Sequence, residues 1–342
     1  MFNFSLQRGL LRELFGEVVF YFPFPFSFFL YPHVTLFLFL VLSLKEWQKV
    51  FIESVDNNSL SRHLKQLTKD PHVAGTPENF VTAQFVQASF ESYGLDAHHK
   101  DYDVLLSYPL HRSLTLTQPQ KQNLEFALTE SAFPSDPYSN NSKVIPTFHG
   151  LSPSGNASGE VVYANYGRQE DFERLALLGV EVSGTIVIAK YGAIYRGDIV
   201  DQAAKAGALA VVIFSDPLDY GHNGTEGYYP KSKWLPPSGA QRGSVYQGIG
   251  DPLTPGWVSD VDAERLSPDD PAAKLPKIPS LPISAEDALP ILQSLGGPIA
   301  PADWQGALNL SYKLGRGPGR LNLSYVVSKP AICHPCESDA TV

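Results

Sequence analysis

The sequence predicts an α/β fold, and three consecutive stretches carry that expectation. "GTIVIAKYG" (184–192) is a short apolar run of strand length, "GDIVDQAAKAG" (197–207) reads as a short helix, and "ALAVVIFSDP" (208–217) is a second apolar run that reads as a buried strand. Strand, helix and strand within so few residues imply a right-handed parallel crossover.

The flanking segments extend this pattern. Lys45–Gly94 reads as mainly helical. "SLSRHLKQLTK" puts Leu60, Leu64 and Leu67 on one face with Ser59 as the N-cap, and "DPHVAGT" breaks the pattern at Pro71 and Gly75. "NFVTAQFVQASFESYG" places Phe80, Ala83, Phe85, Val86 and Phe90 near helical spacing and stops at Gly94. "DAHHKDYDVLLSYP" reads as a strand into Pro109, and the alternation of "SLTLTQ" as another. Beyond the polar, proline-rich stretch 131–142, "GEVVYANYG" is a strand and "QEDFERLALLG" a helix ending at Gly179. Leu218–Asp251 is loop. "KIPSLPIS" reads as an edge segment, because Pro279 and Pro282 have no N–H for a ladder. "AEDALPILQSLGG" is a helix that Pro290 kinks or interrupts, and "ALNLSYKLG" and "RLNLSYVVS" are two strands joined by "RGPGR".

Composition narrows the function. With 26 Lys+Arg against 35 Asp+Glu the net charge is −9, and no basic block occurs, which argues against nucleic acid as a partner. The two cysteines, Cys333 and Cys336, lie together near the C-terminus and cannot form a disulfide framework; "CHPC" is half a zinc motif with no second pair, so it reads as a tail thiol pair. From Val18 to Leu44 there is no Asp, Glu, Lys or Arg, so 18–44 is a candidate signal anchor after a cytosolic tail at 1–17. A secretory signal is the rival reading, but no small-residue cleavage site follows Leu44. N-x-S/T acceptors begin at Asn57, Asn140, Asn156, Asn223, Asn309 and Asn322, which points to a single-pass type II protein whose bulk is lumenal or extracellular.

Familiar catalytic patterns are missing. The turn "YGAIYRGD" spaces Gly192 and Gly197 too widely for a dinucleotide cradle, and "GRGPGR" joins strands without opening a helix. There is no G-x-S-x-G and no H-E-x-x-H. In "HHKDYD", His99, Asp101 and Asp103 would share one strand face, as a weak metal site or, preferentially, a solvated face. His63, His72, His111, His149 and His222 are isolated and read as surface or packing residues.

"DPHVAGTPENF", "YDVLLSYP", "YANYGRQEDF", "IVIAKYGAIYRGDIVDQAAKAGALAVVIFSDPLDYG", "GAQRGS" and "GIGDPLTPGW", in this order between about Leu60 and Leu323, resemble the glutamate carboxypeptidase II family of membrane-anchored dizinc peptidases, its plant members above all. The resemblance implies that 45–109 corresponds to the opening helices and first strand of an incomplete zinc-peptidase domain, and 110–326 to a protease-associated (apical) domain of mixed strands and helices that covers the active site. A divergent tail, 327–342, then stands where the family supplies its zinc ligands and catalytic glutamate. Arg168 matches the family's contact to the carboxylate of the substrate's terminal residue, a role suited to a guanidinium. Trp234 stands where the family has an asparagine contact, and Thr254 (hydroxyl) and Trp257 (backbone carbonyl) match two ligands of a structural calcium.

The resemblance therefore implies a metallopeptidase that releases acidic C-terminal residues from peptides with two zinc ions. This chain reads as a shortened, inactive representative without those ligands. The alternatives are a membrane-tethered module that binds peptides or a full-length homologue, and a truncated isoform without function of its own. Apolar faces within 45–109 that belong against a missing sheet are expected to be left uncovered.

Overall fold

The computed structural model describes residues 44–221, 227–328 and 331–341. The anchor candidate, apart from Leu44, and Asn223 lie outside the described residues. The chain divides into two compact units, Met1–Lys65 and Gln66–Val342.

In the first unit the described residues are largely helical. Helix α1 spans 44–53, and α2 (Asn57–Thr68) begins within this unit and runs across the boundary. The cap of α2 is Asp56 and not the expected Ser59: its carboxylate accepts from the backbone N–H of Asn58 (3.1 Å) and of Ser59 (2.9 Å). A carboxylate there satisfies two free donors and opposes the helix dipole, so the helix starts earlier than the leucine spacing suggests. Leu60 and Leu64 are exposed, in line with the expected uncovered face.

The second unit opens with α3 (Pro77–Ser92), capped by Thr76 with Pro77 in its first turn and followed by Gly94 at φ +83°. Phe80 and Val81 on this helix are exposed. Strand β1 (His98–Leu106) contains two irregularities of register, at Lys100/Asp101 and Tyr102/Val104. These bulges break the alternation that the sequence implied. Asp103 turns inward, 1% exposed and facing Arg265 (3.9 Å), while Asp101 is exposed and His99 half-buried; the three do not form a solvated face.

The main sheet has seven strands: β2 (Pro109–Thr117), β3 (Leu124–Glu125), β5 (Gly155–Tyr163), β6 (Ile186–Lys190), β7 (Ala210–Phe214), β9 (Ser280–Ile283) and β10 (Arg320–Val327). The two-residue strands β4 (His149–Gly150) and β8 (Gly243–Ser244) pair separately. The spatial order in the main sheet is β3-β2-β10-β5-β6-β7-β9. The β5, β6, β7 and β9 neighbours are parallel, and β10 is antiparallel to both β5 and β2. Helix α4 (Gln169–Leu177) links β5 to β6, and α5 (Arg196–Lys205) links β6 to β7, the parallel crossover expected from sequence. Every residue of β6 and β7 is buried, as two-sided coverage requires. A four-residue helix, α6 (Pro217–Tyr220), follows β7. The proline-containing β9 lies on the sheet edge as expected. Helix α7 (Ala285–Gln293) is capped by Ser284 and accommodates Pro290 in its interior.

Two segments differ from the sequence reading. Residues 307–315 are not a strand: Tyr312 N–H donates to Gln305 Oε1 (2.8 Å), and 313 makes only an isolated bridge to Ile299. The apolar alternation of Leu308, Leu310, Tyr312 and Leu314 serves core packing there, not a ladder. The expected tail instead contains a strand, β11 (Ala331–Thr341), antiparallel to β1. Its pairing satisfies backbone groups that β1 would otherwise leave open.

Gly197, in the first turn of α5, passes so close to the loop after β8 that an added Cβ would lie 2.6 Å from the Val245 carbonyl oxygen. Gly197→Ala is therefore expected to destabilise the second unit by about 1–3 kcal/mol through overpacking. A urea melt with an unshifted midpoint would contradict this contact.

Candidate functional site

Because β6, β7 and the last three residues of β5 are buried, their polar chemistry collects at the carboxyl ends, where ligands bind in open parallel sheets. The chain leaves β5 through a tight turn, with Gly167 N–H donating to Ala164 O (2.7 Å). Gly167 has φ +68°, and an added Cβ would meet Ile199 Cγ2 at 2.6 Å, so a glycine is needed to bring Arg168 to the start of α4 against α5.

Arg168 is held from behind. Its Nε and Nη2 donate to Asp171 Oδ2 and Oδ1, both at 3.0 Å, and its backbone N–H donates to the same carboxylate at 3.0 Å. Asp171 is buried and also accepts from Asn165 Nδ2 (3.0 Å). Arg168 Nη1 meets the exposed Glu170 at 2.9 Å. The hydrogen bonds to Asp171 raise the guanidinium pKa further. A guanidinium has five N–H donors, so the outer edge of Arg168 keeps donors for an incoming acceptor, and the solvated Glu170 is a contact that an incoming carboxylate can displace. The orientation is thus fixed by a buried bidentate pair.

Asp216, Lys190 and Tyr166 form the rest of this face. Asp216, fully buried at the end of β7, caps α6 by accepting from Leu218 N (2.9 Å) and ties in a distant loop by accepting from Ala307 N (2.9 Å) and the Tyr312 hydroxyl. Lys190 ends β6 at 0% exposure, with its Nζ 4.2 Å from the Tyr166 ring centroid. Burial lowers its pKa, opposed by the charges of Asp216, Asp219 and Asp171. Tyr166 donates to Asp219 (3.0 Å), and the Arg168 guanidinium carbon lies 5.9 Å from the same ring centroid. Sequence reading missed Lys190 and Asp216: a lysine closing an apolar strand looks like its exit to solvent, and Asp-Pro looks like a helix cap alone.

His149, on β4, is buried between a side chain just past β6 and one at the start of β9. Its Nδ1 lies 2.9 Å from Ser280 Oγ and its Nε2 2.7 Å from Tyr191 Oη. The Tyr191 hydroxyl donates its one hydrogen to Gln241 O (3.0 Å), which assigns the proton to His149 Nε2 and makes Nδ1 the acceptor from Ser280. Burial first, and the Arg196 charge second, lower the imidazole pKa to about 3.

Residues 157–247 match the PA domain family. The probable glutamate carboxypeptidase LAMP1 of Arabidopsis thaliana is 50% identical over 277 residues, 79% of this chain and 39% of that protein. The chain belongs to the glutamate carboxypeptidase II family. The probable glutamate carboxypeptidase AMP1 of Arabidopsis thaliana is 39% identical over 80% of this chain and 36% of that protein, and the aminopeptidase NAALADL1 of Mus musculus 37% identical over 77% and 36%. The chain thus spans less than two fifths of the length of these curated relatives.

Among the described residues no three His, Cys, Asp or Glu side chains are grouped so as to hold a metal ion, so these residues do not fit a zinc centre. Thr254 and Trp257 do fall in one turn, with Trp257 N–H donating to Thr254 O (3.2 Å). The buried Thr254 hydroxyl, however, donates to Asp251 Oδ2 (3.3 Å), a carboxylate that also binds Leu105 N (2.6 Å) and Leu253 N (3.1 Å). Two neutral oxygens are short of the six to eight that calcium takes, so Thr254 and Trp257 do not by themselves fit the ion. Trp234, in place of the family's asparagine, lines a groove of about 370 Å³ with Phe133, Tyr229 and Pro236. Of the glycosylation candidates, Asn57, Asn140, Asn156 and Asn309 are exposed and Asn322 is half-buried on β10. No helix among the described residues is long and apolar enough to cross a membrane.

The depressed pKa of His149 sets a pH dependence. The folded state keeps the ring neutral to about pH 3 while the unfolded chain protonates near 6.5. This contribution is therefore complete above the unfolded value and is lost as pH falls from 6.5 towards 3, at up to about 1.4 kcal/mol per pH unit. Thermal melts from pH 8 to pH 4 should show this decline, and His149→Gln should flatten it. Equal slopes in the two proteins would rule out His149 as the source.

Proposed function

We propose that the chain is the apical, peptide-holding portion of a glutamate carboxypeptidase-type metallopeptidase, in which Arg168 receives the C-terminal carboxylate of a peptide ending in an acidic residue. The observation that carries this reading is the bidentate grip of Asp171 on Arg168, which fixes a permanently charged fork at the carboxyl end of β5. In this reading 110–326 forms the protease-associated domain and 45–109 a piece of the peptidase domain. The two zinc ions belong to residues outside these 342, in a longer form of the chain or in a full-length homologue acting as partner. Any calcium held through Thr254 and Trp257 would draw its remaining ligands from the same source. Without them the chain binds peptide and does not cleave it. The uncharged run 18–44 and the exposed acceptor asparagines support a membrane-anchored, single-pass type II placement with the bulk lumenal or extracellular.

Calorimetry with N-acetyl-alanyl-glutamate and its C-terminal carboxamide tests the carboxylate contact. The free acid is expected to bind about tenfold more tightly, ~1.4 kcal/mol, and Arg168→Leu to abolish the difference. Equal affinities in the wild-type protein would refute the assignment, and dipeptide hydrolysis by the purified, zinc-loaded chain would refute its inactivity.

A further inference from the structure

Two buried polar atoms on this face have no hydrogen-bond partner: Asn165 Oδ1 and Lys190 Nζ. They belong to adjacent strand ends. Val161, Val162 and Tyr163 pair in parallel with Ile186, Val187 and Ile188. Beyond the last pair the chain turns at Asn165 (φ +51°), whose backbone carbonyl accepts from Lys190 N–H (2.7 Å) and so ties the two strand ends together. Asn165 is 1% exposed and Lys190 0%. The Asn165 amide is oriented by donating its Nδ2 to Asp171, which leaves the carbonyl oxygen as the open acceptor. A buried donor and a buried acceptor left unmade at neighbouring strand ends each carry a desolvation penalty that a bridging group would relieve.

The surrounding charges restrict what that bridge can be. Asp171, Asp216 and Asp219 act on Lys190, which disfavours a further anion beside it. Lys190 and Arg168 disfavour a cation. A neutral group that accepts from an ammonium and donates to an amide carbonyl fits both atoms, and in a peptide that group is the amide itself. The closing element is Tyr166, whose ring lies against Lys190 and whose hydroxyl is tethered to Asp219. The tether is a hydrogen bond to an exposed carboxylate on α6 and can be exchanged for water.

We propose that Asn165 and Lys190 form a subsite, closed by Tyr166, for one amide of a bound peptide, with Lys190 donating to its carbonyl and Asn165 accepting from its N–H. The inference rests on the peptide-holding reading above and adds recognition of the backbone amide to recognition of the terminal carboxylate. Arg168 and Lys190 lie near the same Tyr166 ring, so one small acidic acylated residue can reach both groups.

The test uses the full chain and two probes, N-acetylglutamate, which has a single amide, and 2-acetoxyglutarate, its ester analogue, which has no N–H. Wild-type protein is expected to bind the amide about tenfold more tightly than the ester, ~1.4 kcal/mol. Lys190→Met, with melting checked to confirm folding, should weaken amide binding by a similar factor. Tyr166→Phe keeps the ring, cuts the tether to Asp219, and should speed association several-fold. Equal binding of amide and ester by folded wild-type protein overturns the subsite, because the two atoms are then bridged by an ordered water only. If in that case Arg168→Leu still weakens both probes, the carboxylate reading survives alone. Failure of both probes to bind overturns both readings.

Discussion

The two-sided burial of β6, β7 and the end of β5 is the constraint on which the rest of the molecule depends. A parallel stretch covered on both faces has no room for polar side chains along its length, so the polar groups of these strands are displaced to their ends. Asn165, Lys190 and Asp216 stand one after another at those ends, and Arg168 follows within a turn. The apolar centre of the sheet and the polar rim are two consequences of the same packing.

That rim is held together by carboxylates that are already fully used. Asp171 orients Arg168 and Asn165, and Asp216 joins α6, the 307 loop and Tyr312. Buried carboxylates satisfied in this way cost little to keep in place and are expensive to disturb, because removing any partner strands the others. The site is therefore pre-organised, which is what a surface needs if it is to present donors to a peptide without ordering them on arrival.

Membership in the glutamate carboxypeptidase II family and the absence of a metal-ligand group among the described residues are compatible on physical grounds. A covering domain of the kind proposed for 110–326 needs shape, oriented donors and a rigid sheet, all of which are local features. A dizinc centre needs ligands converging from several strands of another sheet. The exposed leucines of α2 and the exposed Phe80 and Val81 of α3 belong to the segment that the family resemblance assigns to that other domain.

Much of the architecture was legible in the residues themselves. The unbroken apolar runs of β6 and β7, the helix between them and the prolines of β9 define local patterns with few alternatives, so the parallel crossover and the edge position follow from periodicity and the missing proline N–H. Arg168 could be singled out by its motif. Other features depended on groups far away in the chain. The bulges in β1 turned Asp103 inward, and Gln305 captured the Tyr312 N–H and kept 307–315 from becoming a strand. The segment 331–341 became a strand because β1 offered an open edge. Lys190 and Asn165 looked unremarkable in sequence, since burial and the lack of a partner are properties of a packed neighbourhood: the sequence sets what each group can donate or accept, and only the tertiary structure decides which of those capacities are left unfilled.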